Sequence, residues 1–311
     1  MSHEVESMFY TRERPWHELG ERVDEALCSV DAMKLAGLNW SVIQKPIFTE
    51  EGVEIQDFKA NTRSKDDKVL GIVTNRYKVV QNSEAFEFTD NLLGNGVRYE
   101  TAGSLMEGKK IWLLAKLPEE YMIAGDKVES YLVFSNTHDG SGGIKVAITP
   151  VRVVCNNTLN LALHDAKRIW STIHVGDINK KLDEARKTLL YAEKYMYKLK
   201  VEGEVFRRIP LTDKKVMEYI EQLIPMPDNA TKTQETNIDI LRTDMKLRYF
   251  EAPDLVDIPK NGWRFINAVS DFATHATPLR KTSSYKENMF IKTVEGNPLI
   301  DKAFEIISAL A

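Results

Sequence analysis

The chain has few of the residues and patterns that most often declare a chemistry. Of its 311 residues only two are cysteine, Cys28 and Cys155, and they stand too far apart to make a disulfide framework. Both read as buried thiols of a reducing compartment. There is no HExxH, CxxC or GxSxG pattern and no phosphate-loop Gly-Lys-Ser/Thr. The six histidines are scattered, and none shares a helical face with another at metal-ligand spacing. With these patterns missing, neither a metal nor a cofactor is expected. No apolar run approaches the roughly 20 residues of a membrane helix, and the start, MSHEVESMFYTRERPWHELG, lacks a basic-then-apolar leader. A cytoplasmic protein with no membrane partner is the expectation.

A surplus of positive charge is missing as well. Lys and Arg number 42 against 46 Asp and Glu, a net charge of −4. That excludes coating a nucleic acid by bulk charge and leaves room only for a local basic groove.

What is present centres on residues 109 to 163. KKIWLLAK, ESYLVFSN and IKVAITPVRVVC are strand-like runs of Val, Ile, Leu and aromatics, the last two joined by the turn THDGSGG. From Ile144 to Ile148 the apolar side chains fall on even positions, and after Pro150 they fall on odd ones, Val151, Val153 and Cys155. The two-residue period of a strand fixes its faces, so a phase change at a proline predicts a bend or bulge. The predicted element is a long hairpin whose second arm bends. Arg152 lies opposite Val151 and Val153, beside Asn156 and Asn157 at the entrance of a helix.

The surrounding pattern is α+β: a mostly antiparallel sheet with the long hairpin and a crossing helix, then a helical C-terminal region. Residues 1–205 are expected to form the α+β core and 206–311 the helical part. Strands are predicted at NWSVIQKPIFTE, VEIQDFKANTRS and VLGIVTNRYKVV, followed by the helix SEAFEFTDNLLG with Gly94 as its stop. After Asn157 two helices are predicted. The first carries Leu159, Leu163, Ala166 and Trp170; the second runs from near Asp177 to about Lys200 with an Asp183–Lys187 pair. The helix within NATKTQETNIDILRTDMKLRYF is polar for two turns, which predicts a mobile or partner-dependent start.

His138 and Asp139 read as a solvated turn. Together with Asn157 they are the residues that a nucleotide-processing enzyme would use, although no acid–base constellation converges there. The remaining signal is cationic and amide groups along the sheet. Arg76 and Lys78 lie in NRYKVV, Lys145 and Arg152 on the return arm of the hairpin, and Asn156 and Asn157 at the helix N-terminus, where backbone N–H groups favour an anion. Such a set suits a nucleic-acid backbone. It equally suits ordinary solvated charges flanking strands.

Three stretches, PWHELG, RVVCNNTL and WRFINAVSDFATH, resemble in order and spacing a family of phage- and plasmid-encoded proteins catalogued mainly as a domain of unknown function. That resemblance spans essentially the whole chain and implies a mobile-element origin in a bacterial host. In the last stretch Phe272 and Thr274 stand where the family pattern often has Tyr and Asp. The succession of helix, strand, long hairpin and crossing helix also resembles the core of phage single-strand annealing proteins of the Redβ and Erf type. That likeness implies an ATP-independent single-stranded DNA-binding and annealing protein that is not an enzyme. It would act as a homo-oligomeric ring or filament, with a phage nuclease or a host protein as further partner. The groove residues it implies are Arg76, Lys78, Lys145, Arg152, Asn156 and Asn157. The competing reading is a phage regulatory or counter-defence protein that binds a host protein.

Overall fold

The computed structural model describes residues 5–11, 21–24, 27–94, 98–152, 157–160, 163, 168–279, 292 and 296–311. Eleven strands and eight helices are formed among them. The strands are β1 (Val5–Tyr10), β2 (Glu21–Arg22), β3 (Val42–Phe48), β4 (Glu54–Arg63), β5 (Val69–Thr74), β6 (Tyr99–Leu105), β7 (Lys110–Ile123), β8 (Asp126–Thr137), β9 (Ile144–Arg152), β10 (Asn157–Thr158) and β11 (Ile169–Thr172). The helices are α1 (Ser29–Leu35), α2 (Asn82–Leu93), α3 (Ile178–Ala185), α4 (Lys187–Arg207), α5 (Asp213–Leu223), α6 (Lys232–Glu251), α7 (Gly262–His275) and α8 (Pro298–Ser308). One sheet has the order β10-β9-β8-β7-β6-β1-β2 with β11 also on β9, and a smaller sheet has the order β3-β4-β5. Apart from the parallel β1–β2 pair, every described strand register is antiparallel. The α+β class expected from the sequence is the class observed.

Two compact units divide the chain, and they do not follow its order. The first takes residues 1–118, 131–148 and 168–191; the second takes 119–130, 149–167 and 192–311. The cut expected near residue 205 falls inside the second unit.

In the first unit, α2 begins on a capping box. The Gln81 N–H donates to the Glu84 carboxylate at 2.6 Å, and the Gln81 side chain accepts from the Glu84 backbone, so both ends of the first turn are satisfied. The Gln81 amide also grips β3, receiving the Val42 N–H at 2.8 Å and donating to the Val42 carbonyl at 2.9 Å. Next to it, the buried Asn82 amide donates to the Leu38 and Trp40 carbonyls. Two neighbouring amides thus fix α2 against the smaller sheet. Gly94 stops the helix at φ 80°, as its sequence position predicts.

The second unit is built on α7. Every residue from Gly262 to Ser270 is buried, the mark of a central helix covered on all sides. Trp263, Phe265, Ile266 and Val269 pack there with Tyr195, Phe206, Tyr249 and Ile300. Gly203 of α4 is needed at this spot, because a Cβ there would come within 2.6 Å of Ile123 and 3.2 Å of Trp263.

Several expectations are corrected. Asn157 does not open a helix: Asn157 and Thr158 pair with Arg152 and Val151 as a short strand. Trp170 is not helical either, since Ile169–Thr172 runs antiparallel to Ile144–Ala147. The spacing of Leu159, Leu163 and Trp170 imitates a helix, but the β-branched Ile169 and Thr172 and the open side of β9 favour a ladder. β9 passes through Pro150 as one strand. Its outer side pairs with β11 up to Ala147 and with β10 from Val151, so the phase change in the sequence marks an exchange of partners. The Pro150 carbonyl still accepts from the Leu159 N–H at 2.9 Å, and proline's missing donor removes one ladder bond. The long helix from Asp177 is two helices, broken at Arg186, and Asp183 pairs with Arg186 at 3.1 Å. α6 has a firm start, with the Thr231 hydroxyl and the Gln234 amide forming a capping box. Cys28 is exposed, its thiol donating to Asp31 at 3.3 Å; Cys155 lies outside the described residues.

Candidate nucleic-acid interface

The turn that follows β5, at residues 75–78, and the bend that follows β11, at 173–175, carry most of the site. Tyr77 forms a bridge with Val175. The Lys78 N–H donates to the His174 carbonyl at 2.7 Å, and His174 Nδ1 lies 2.9 Å from the Lys78 carbonyl. The Tyr77 and His174 rings stack at 4.4 Å and 15°, and the Tyr77 hydroxyl donates to the Thr137 carbonyl at 2.6 Å. Burial pushes the Tyr77 hydroxyl well above the usual phenol range and pulls the His174 imidazole below its own. Both rings are therefore neutral framework. Arg76 and Lys78 flank the buried Tyr77, are exposed, and make no ion pair among the described residues.

Lys145 joins the same strip. It is half-buried on β9 opposite Ser171, the residue three before His174. Arg152 and Asn157 belong to the second unit and pair with each other there. Of those two only the backbone is described, and Asn156 lies outside the described residues. The backbone of Asn157 is part of a strand ladder, so the anion-holding helix N-terminus expected there does not exist.

Beside Lys78 opens a cleft of about 490 Å³, lined by Lys78 and Arg186 against Glu84, Glu87, Asp177 and Asp183. Its charge is negative. Asp177 is engaged as the cap of α3, accepting from the Lys180 N–H at 3.1 Å.

His138 is the clearest departure from expectation. It is fully buried, with Nε2 at 3.0 Å from the Asn82 side-chain oxygen and the Trp40 ring edge-on at 5.5 Å. The Asn61 amide donates to its carbonyl at 2.7 Å. Burial, with His174 nearby, holds the imidazole down to about 3. Asp139 accepts from the Ser141 N–H and hydroxyl, closing the turn. His138 is beyond the reach of a solution substrate, and the solvated-turn reading is overturned for it. The Gly-rich turn looked exposed because its neighbours are polar; the partners that bury His138 lie 56 and more residues away in sequence, where no local pattern could show them.

The last sequence motif resolves into structure. Trp263 donates to Asp126 at 2.7 Å, and the Ser270 hydroxyl donates to the Thr158 carbonyl at 2.6 Å. The buried Arg264 guanidinium donates to the carbonyls of Tyr249, Phe250, Val256 and Ile258 at 2.6–3.3 Å, capping the end of α6. PWHELG and the centre of RVVCNNTL lie outside the described residues. No group of three or more His, Cys, Asp or Glu able to hold a metal ion is found among the described residues, and no described helix is long and apolar enough to cross a membrane.

Among the described residues, the exposed Arg76 and Lys78 thus flank the buried rings of Tyr77 and His174. The family described as "Domain of unknown function (DUF932)" matches residues 69–292, and the chain belongs to that family. No curated protein and no solved structure matches it.

Proposed function

We propose that this chain is a single-stranded DNA-binding protein of a phage or other mobile element, promoting annealing without ATP and acting as a homo-oligomer. The observation that carries the reading is the grouping of Arg76, in the turn after β5, with Lys78, bonded to His174, and Lys145, opposite Ser171 on β9; Arg76 and Lys78 are exposed and make no ion pair among the described residues. The buried Tyr77 offers no stacking platform, so phosphates are held by charge and bases are left unread. The acidic cleft beside Lys78 repels the polyanion and confines it to the Arg76 side. Arg152 belongs to the second unit and is a separate candidate contact.

Fluorescence anisotropy with labelled oligonucleotides tests this. Arg76→Ala is expected to weaken binding by about 1.5–3 kcal/mol, alike for different base compositions. For every phosphate of a single strand that a variant no longer neutralises, the salt slope should fall by about 0.7. Lys78→Ala and Arg152→Ala should act in the same direction. A wild type without measurable affinity at low salt, or an Arg76→Ala/Lys78→Ala protein that binds like the wild type, overturns the proposal.

A further inference from the structure

The smaller sheet leaves five large apolar side chains of one face exposed. Residues paired across a sheet share a face, so the register of β3, β4 and β5 sorts their side chains. Val42, Asn61, Arg63 and Val73 turn inward and are buried. Outward turn Ile43, Phe48, Phe58, Val69 and Ile72, which are 45, 56, 43, 53 and 60% exposed. Between them Ala60 and Thr62 are buried, and Lys45, ion-paired with Asp67, shares the same face. Scaled by the roughly 150–200 Å² that a large apolar residue presents, these exposures amount to about 450 Å² of apolar surface. A standard interface takes about 800 Å² from each partner, a little over half of it apolar. The face therefore supplies the apolar share of one ordinary interface.

The β3 edge of this sheet is obstructed for an added strand. Gln81 occupies the outward N–H and carbonyl of Val42, and Pro46 has no N–H to offer. Charge says which partner. Between Phe48 and Phe58 the chain holds Glu50, Glu51, Glu54 and Asp57 and no cation. At the other end, Asp66 is taken by Arg63 and Asp67 by Lys45, each at 2.6 Å, while Lys65 makes no ion pair among the described residues. The face is acidic at one end and cationic at the other, which makes it complementary to itself when reversed.

We infer that this face binds a second copy of the chain in an antiparallel two-fold contact, sheet against sheet. The Glu50–Glu54 tip of one protomer then meets the Lys65 end of its partner, and the apolar residues close over one another. The inference supplies the oligomer of the proposed function but stands on the sheet alone.

Sedimentation velocity of the full chain over a dilution series is the test, with melting temperature confirming that each variant folds. The wild type should sediment at twice 35.5 kDa. Ile72→Glu, and Val69→Lys as the second variant, should give the monomer mass without loss of folding, because both side chains are in solvent in the isolated chain. Glu54→Lys and Lys65→Glu should each raise the dimer dissociation constant about tenfold, and the double variant should recover most of that loss. A monomeric wild type at all concentrations, or folded Ile72→Glu and Val69→Lys proteins that keep the wild-type mass, overturns the face. Single charge variants that weaken the dimer with no recovery in the double overturn the antiparallel arrangement. Oligonucleotide affinity on the same samples keeps the two proposals apart, since a monomeric Ile72→Glu protein that binds DNA leaves the nucleic-acid reading standing.

Discussion

His138 and Arg264 are both buried ionisable side chains, one in each unit, and they are solved by opposite means. Around Arg264 the α6 end presents carbonyls, so a permanent charge is met by partial negative charges on every side. Around His138 the surroundings give one amide oxygen and the Trp40 indole, and among the described residues its Nδ1 has no hydrogen-bond partner. Such a site tolerates a neutral ring and rejects a charged one. Burial alone does not decide whether a charge survives; the count of oriented dipoles around it does.

The difference is most exposed at Arg264. Arg264→Leu should strand the carbonyls of Tyr249, Phe250, Val256 and Ile258 and destabilise the second unit by roughly 3–5 kcal/mol in urea unfolding. Arg264→Lys should recover only part of this, since an ammonium cannot span the same fork. Equal stability of the Leu variant and the wild type would break the comparison.

His138 gives the next largest effect, through pH. An unfolded imidazole takes its proton near pH 6.5, whereas the folded one resists until about 3. Its stabilising contribution is thus complete above pH 6.5 and is lost as the pH falls toward 3, at about 1.4 kcal/mol per pH unit. His174 is lowered as well and adds in the same direction. Urea midpoints between pH 7 and 4 should fall steeply for the wild type and less so for His138→Gln. Parallel curves would show that the buried ring is no proton sensor.

Trp263→Phe sharpens the second-unit side of the comparison. It removes the N–H that meets the buried Asp126 carboxylate, at a cost of about 1.5–3 kcal/mol. The smallest effect belongs to Cys28: exposed and joined to the fold by a single weak donor, it should become Ser within about 0.5 kcal/mol in the same assay.

The pattern of the sequence carried the strands from Lys110 to Arg152, the turn between them, α2 with its Gly94 stop, and the C-terminal helices, because each rests on a local period or cap. It failed between Asn157 and Thr172, where the outcome depends on an open sheet side contributed by β9. Exposure was legible for Arg76 and Lys78, which lie among polar neighbours. Arg264 was hidden, since nothing within WRFINAV shows that the carbonyls at the end of α6 will need a cap. The outward apolar residues of β3, β4 and β5 read as core positions in any window of sequence. Only the register shows that Ile43 and Ile72 look away from the core.

The interleaving of the two units bears on how the chain is made. The residues of the first unit have all been made when residue 191 has left the ribosome, while 119–130 and 149–167 await residues 192–311. At about 5–20 residues per second, the 120 residues from 192 to 311 take roughly 6–24 s to appear. For that interval the nascent protein carries finished structure beside apolar strand ends such as Ile123 and Val128 that have nothing to cover them. A gene truncated after residue 205 would freeze that state permanently, and its product would be a client for chaperones and proteases rather than a smaller working protein.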